Sequence, residues 1–155
     1  PSMLMHLGGY LEGGGSLFIS GAHIASDVHM NGQDSLVASL LKYRWRTGNA
    51  SRKGGFYFMD PGFGSYADTH WFNTGIDPEI YTVEGADALV PTDSSATTLI
   101  RYRENNASAA VAFSGAYRLI AMGFPFECIL EALDRDQMME KVLNYLTGQK
   151  ENDQD

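Results

Sequence analysis

The sequence predicts an α/β domain: an open, mostly parallel sheet with flanking helices and an antiparallel hairpin near its C-terminal end. Three stretches carry that prediction. Ser16–Ser20 is a short run with an apolar centre, of the kind expected when both faces of a strand are buried, and it follows a helical stretch closed by three glycines. Thr98–Arg103 and Ala109–Phe113 flank Asn105-Asn106, a hairpin signal. Near the end, Met138, Met139, Val142, Leu143 and Leu146 make one apolar helical stripe.

In chain order, Leu4, Leu7 and Leu11 recur at helical spacing until Gly13-Gly14-Gly15 stops the helix. After the strand Ser16–Ser20, Gly21 allows a sharp turn into Ala22–Val28. A second helix is expected over Ser35–Arg46, with Val37, Leu40, Leu41 and Trp45 inward and Asp34 as N-cap. Thr47–Ala96 is a long stretch poor in periodicity and rich in Gly, Asp, Ser and Pro, which marks a binding or functional loop. Short strands are expected within it at Phe56–Met59 and Glu79–Val83, with turns at Asp60-Pro61-Gly62 and Asp77-Pro78. After the hairpin, Tyr117–Phe124 reads as a strand. The closing helix begins near Asp134, where Gln137 completes a capping-box pattern, and ends at Gly148. Glu151–Asp155 is an acidic tail.

The 155 residues form one domain by length, over 1–150, and an apolar fraction of 44% is enough to build a core. A net charge of −8, with no run among the eleven Lys and Arg, excludes the cationic face that nucleic acid needs. The lone Cys128 excludes an intrachain disulfide and a multi-cysteine zinc site. No apolar run approaches the roughly 20 residues of a membrane span. Pro1–His6 lacks the charged and apolar regions of a signal peptide.

Two stretches carry a family resemblance. Tyr10–His23 (Tyr-Leu-Glu-Gly-Gly-Gly-Ser-Leu-Phe-Ile-Ser-Gly-Ala-His) resembles the helix, glycine stop, strand and tight elbow of class I glutamine amidotransferase-like domains, which have a flavodoxin-type fold. Tyr117–Leu146 resembles the closing strand, glutamate-bearing turn and last helix of that fold. The combination is most similar to domains of secreted bacterial proteins labelled xanthan lyases, and the likeness covers both ends but hardly the middle. It implies a secreted or periplasmic protein directed at polysaccharide or cell wall, joined to other domains of a longer chain. Because the family opens with strand–helix units that this chain lacks, it also implies N-terminal truncation. The uncovered edge of Ser16–Ser20 would then be met by a second copy in a homodimer, by a retained N-terminal segment, or by strands from Thr47–Ala96.

The departures from the family limit its chemistry. The elbow position that holds the reactive cysteine is Ser20 here, and the usual histidine two residues before Glu127 is Pro125. Glutamine hydrolysis by that mechanism is excluded, since it needs a thiolate and a His–Glu pair. Cys128 lies too far along the chain to serve and reads as a small buried hydrophobe. Ser20, His23 and Glu127 remain as a candidate catalytic trio for a glycan lyase or hydrolase, with Gly21 and Asp27 beside them as substrate contacts. The plainer reading has Ser20 bonded within its turn and Glu127 capping a helix or pairing with Arg118 or Arg135.

His23, Asp27 and His29, with Asp68 and His70, offer metal-ligand types but no recognised spacing, so no metal or other cofactor is expected. The aromatic residues Phe56, Tyr57, Phe58, Phe63, Tyr66, Trp71 and Phe72 stand among Gly, Asp and Asn. Flat rings beside short polar groups suit sugars, and Tyr66 and Trp71 are the chosen contacts; packing of the loop onto the core is the alternative. The expected function is a non-catalytic accessory or binding domain, with carbohydrate as ligand.

Overall fold

The computed structural model describes residues 2–148, so the tail at 151–155 lies outside the described residues. The chain runs α1 (Ser2–Glu12), β1 (Ser16–Ser20), α2 (Ser26–Met30), α3 (Asp34–Leu40), β2 (Tyr43–Thr47), β3 (Gly55–Phe58), β4 (His70–Trp71), β5 (Ala88–Pro91), β6 (Ala96–Tyr102), β7 (Ser108–Ser114), β8 (Arg118–Met122) and α4 (Ala132–Thr147). The main sheet has the order β1-β8-β7-β6-β3-β4 and curls into a half-barrel, while β2 and β5 form a separate antiparallel pair.

Among the described residues only β1 and β8 run parallel; the other four pairings of the main sheet are antiparallel. The open, mostly parallel sheet of flavodoxin type is therefore overturned. Short turns join β6 to β7 and β7 to β8, and a short connection returns the chain antiparallel, whereas parallel neighbours need a long crossover. β1 meets β8 from far away in sequence and is free to run alongside it.

The sheet is covered on both faces at its β1–β8–β7 end. On β7 and β8, Ala110, Ala112, Ile120 and Met122 face the cluster that holds Met138, Val142 and Leu146 of α4. The alternate residues Val111, Phe113, Leu119 and Ala121 face Leu4 and Leu11 of α1 and Val37 and Leu40 of α3. This is the two-residue period of a pleated strand. β1 follows it, with Phe18 on the α4 side and Leu17 and Ile19 on the other. It is an edge strand, half-buried along its length, and not the fully buried strand expected. Gly14 ends the α1 segment at φ +93°, and the Tyr10 hydroxyl both accepts from the Ser16 N–H (3.1 Å) and donates to the Ser16 carbonyl (2.9 Å).

Three further expectations change. The helix expected over Ser35–Arg46 stops at Leu40; Lys42 turns at φ +63° and Tyr43–Thr47 becomes a strand bonded to β5. The β-branched and aromatic residues there favour a pleated surface once a partner strand exists. Glu79–Val83 is no strand: the Asn73 amide donates to the carbonyls of Asp77 (2.9 Å) and Ile80 (2.7 Å) and holds this stretch as a loop. The capping box at Asp134 is not formed, because α4 begins at Ala132 and Asp134 instead meets His70 Nδ1 at 3.1 Å. Leu143, placed on the buried stripe, is exposed.

Candidate functional site

The elbow residues do not assemble into a catalytic trio. β1 delivers Ser20 to its C-terminal end, where Oγ accepts the Phe126 N–H at 3.2 Å. Gly21 follows, its N–H bonded to the Met122 carbonyl (3.2 Å), and a Cβ there would crowd Ile24 at 2.8 Å. His23 adopts φ +65°, and its Nδ1 lies 3.3 Å from Ser26 Oγ. Glu127 is exposed in the Phe126–Cys128 turn and makes no hydrogen bond or ion pair among the described residues. Asp27 is exposed on α2. Ser20, His23 and Glu127 thus share no hydrogen bond, and the plainer reading changes too: the Ser20 hydroxyl bonds not within its own turn but to a backbone N–H 106 residues along the chain, and Glu127 pairs with neither Arg118 nor Arg135.

What organises this elbow is Asp87, which sequence reasoning missed. Its carboxylate is fully buried just before β5. Oδ2 accepts the N–H groups of Ala25 (2.9 Å) and Ser26 (3.1 Å), and the Ser26 hydroxyl lies at 3.4 Å. The first turn leading into α2 has no side-chain cap of its own, so Asp87 supplies its acceptor from 61 residues away. Oδ1 has no partner among the described residues. The Tyr102 hydroxyl donates to the Asp87 carbonyl at 2.6 Å. Burial first, and the Asp87 charge second, push the hydroxyls of Tyr43 and Tyr102 well above the ordinary tyrosine range. An acid flanked by Ala86, Ala88 and Leu89 is the sequence signal that could have marked this position.

Cys128 is fully buried, and burial, with the neighbouring Glu127 charge, raises its thiol pKa to about 11. The thiolate is the reactive form. Native protein at pH 8 is expected to react with a thiol reagent at least a hundredfold more slowly than urea-unfolded protein, followed by absorbance. Comparable rates would show an accessible, activated thiol.

The candidate metal ligands are spread among separate pairs. His29 Nδ1 meets Asp34 at 2.9 Å and its ring stacks on Trp45 at 4.5 Å, while His70 pairs with Asp134. No group of three or more His, Cys, Asp or Glu side chains is gathered for a metal ion among the described residues.

The aromatic stretch divides in two. Phe56, Phe58 and Phe72 point into the core with Phe124 and Tyr102. The opposite face of β6, β3 and β4 carries Arg101, Tyr57 and Trp71, because directly paired residues share a face: Tyr57 lies opposite Arg101 and Gly55 opposite Trp71. A Cβ on Gly55 would come within 2.9 Å of the Trp71 indole, so glycine lets the ring lie against the strand with its outer side in solvent. The Arg103 guanidinium sits 4.0 Å from the Tyr57 ring centroid. Its Nε donates to Thr69 Oγ1 (2.9 Å), and Nη2 donates to the carbonyls of Tyr66 (2.7 Å) and Asp68 (3.3 Å), which ties the loop 59–69 to the sheet.

Two open cavities lie beside residues that Arg103 touches, and Arg103 itself lines the second of them. One, of about 580 Å³, is lined by Tyr57, Phe58, Met59, Pro61 and Tyr66 among others. The other, of about 320 Å³, is lined by Lys53, Gly55, Trp71, Arg103 and Glu104. Tyr66 and Trp71 therefore belong to neighbouring hollows of one surface, whereas Gly21 and Asp27 belong to the elbow.

No protein-family model and no curated protein matches the chain. Among the described residues no helix is long and apolar enough to cross a membrane.

Proposed function

We propose that this chain is a non-catalytic binding domain for carbohydrate, working within a secreted polysaccharide- or cell-wall-directed protein. The observation that supports it is the open cavity of about 580 Å³ between Tyr57 and Tyr66, with the exposed Trp71 ring in the next hollow. A pyranose presents an apolar face to a ring and hydroxyls at its rim, and concave sites lined by aromatics with a few fixed polar groups suit that shape. Arg103, held by three hydrogen bonds, keeps the loop that carries Tyr66 in place before any ligand arrives, which limits the ordering cost of binding. At the elbow, the Ser20 hydroxyl is taken up by a backbone donor, and nothing there favours a hydrolytic reading.

The test is a heteronuclear NMR titration against a panel of oligosaccharides, with Tyr66→Ala and Trp71→Ala beside the native chain. Both side chains are exposed, so each variant is expected to keep its fold. Each should bind about tenfold more weakly, or about 1.4 kcal/mol. Shifts that map to the elbow, or affinity unchanged in both variants, would remove the platform from consideration.

A further inference from the structure

We infer that the open edge of β1 is a self-association site, on which a second copy of this chain pairs its own β1 antiparallel about a two-fold axis at Ile19. The inference is independent of the carbohydrate reading. β1 ends the order β1-β8-β7-β6-β3-β4, and the strands of the stretch 47–96 pair elsewhere. At the opposite end of the sheet β4 has only two residues, and its Trp71 carbonyl already accepts the Leu130 N–H at 2.9 Å. β1 has no such cover. Ser-Leu-Phe-Ile-Ser carries no charge and no proline, and its register with β8 has no bulge; these are the devices that ordinarily keep edges apart.

The backbone groups on that edge set the register. The Gly21 N–H bonds to the Met122 carbonyl next to β1 (3.2 Å), whereas Ser16 turns its N–H and carbonyl away, to the Tyr10 hydroxyl. Backbone groups alternate in direction along a strand, so Leu17 and Ile19 face β8 as Gly21 does. Phe18 and Ser20 face outward as Ser16 does. Tyr10 blocks one end of the edge, and the N–H and carbonyl groups of Phe18 and Ser20 meet no partner among the described residues. Antiparallel pairing centred on Ile19 sets Phe18 opposite Ser20 of the second copy, and Ser20 opposite its Phe18. Every open donor and acceptor is then matched. Centring on Phe18 instead would set Ser20 against Ser16, whose groups Tyr10 already holds. About the Ile19 axis the two isoleucines form a cross-strand apolar pair, and Leu17 lies opposite Gly21, which has no Cβ to obstruct it. Leu17, Phe18 and Ile19 are half-buried in a single copy and would lose more of their surface to water. Pairing joins two six-stranded sheets into one and leaves β3 and β4 toward its two ends. The contact is small against the roughly 1,200 Å² of a standard interface, so association is expected to be reversible. Each copy carries −8, so salt should strengthen it by screening the repulsion.

The experiment is sedimentation velocity on the native chain, Ser20→Pro and Ser20→Ala, from about 10 μM to about 1 mM and at two salt concentrations. Amide exchange is followed by NMR at both ends of the concentration range. Proline removes the outward N–H of residue 20, a change edge strands tolerate, while alanine removes only the hydroxyl that both variants lose. The native chain and Ser20→Ala are expected to form a dimer and nothing larger, because a two-fold contact closes on itself. That dimer should tighten about threefold at the higher salt, and Ser20→Pro should weaken it at least tenfold. On dimerisation exchange should slow at Phe18 and Ser20, while Leu17 and Ile19, already bonded to β8, change little. Should Ser20→Pro lose its fold, the exchange pattern of the native chain decides alone. A monomer throughout, growth beyond two copies, a Ser20→Pro dimer as tight as the native one, or slowed exchange away from β1 would each overturn the inference.

Discussion

Phe124→Ala is expected to lower stability by about 4 kcal/mol, the largest loss from any single truncation in this core. Phe124 is fully buried at the end of β8, and its ring centroid lies 4.7 Å from Phe72, 4.8 Å from Phe56 and 6.1 Å from Tyr102. These rings come from β3, β6 and the segments just after β4 and β8, so Phe124 joins the curled end of the sheet to its covered end. Their neighbours are fixed by backbone pairing and cannot collapse into the space an alanine leaves, so the lost transfer energy and the cavity term add. Urea unfolding should show a lower midpoint with an unchanged slope. Phe124→Leu, which refills most of the volume, should recover more than half. A loss under about 1 kcal/mol for the alanine variant would mean that the ring cluster packs otherwise than described.

Asp87→Ala is expected to cost about 3 kcal/mol, because it strands the N–H groups of Ala25 and Ser26 in the interior without an acceptor. For a chain of this length that is a fall of roughly 6–12 °C in Tm. The damage should be local as well as global: amide exchange should quicken over 23–30, the turn and helix that Asp87 caps, more than over β7 and β8. Asp87→Asn keeps an acceptor in place of Oδ2 and is expected to retain the slow exchange at Ala25 and Ser26 while still losing some stability. If the alanine variant left exchange over 23–30 unchanged, the cap would have no energetic role there.

The parts of the fold legible in the sequence are those whose causes are local. The α1 helix follows from Leu4, Leu7 and Leu11 with the glycine stop, and the β6–β7 hairpin from two β-rich runs about Asn106, which takes φ +58°. Strand direction was not legible, for an identifiable reason. Ala109–Phe113 and Leu119–Met122 are as continuously apolar as any parallel strand, yet they are antiparallel neighbours. A continuous apolar run records burial on two faces, here by α4 and by α1 with α3, and says nothing of direction. Tyr43–Arg46 was read as helix because Val37, Leu40, Leu41 and Trp45 fit that period, while the partner strand β5 lies far along the chain. The candidate site divides the same way. Aromatic crowding over 56–72 was visible, but separating Tyr66 and Trp71 from the buried Phe56, Phe58 and Phe72 requires the register of β3 against β4 and β6. Asp87 was hidden because its ligands are two backbone N–H groups supplied by a distant turn.

The single parallel pairing also orders the assembly of the chain in time. β6, β7 and β8 can zip together through short turns, at little loop-closure cost. Ser16 cannot meet Arg118 until about 100 intervening residues have been gathered, and topologies with such distant pairings fold slowly. The β1 strand, with α1 packed behind it, is therefore expected to be the last piece to dock. Until it does, β8 presents a bare, apolar edge to other chains, so the slow step is also the interval in which nascent molecules are most prone to associate.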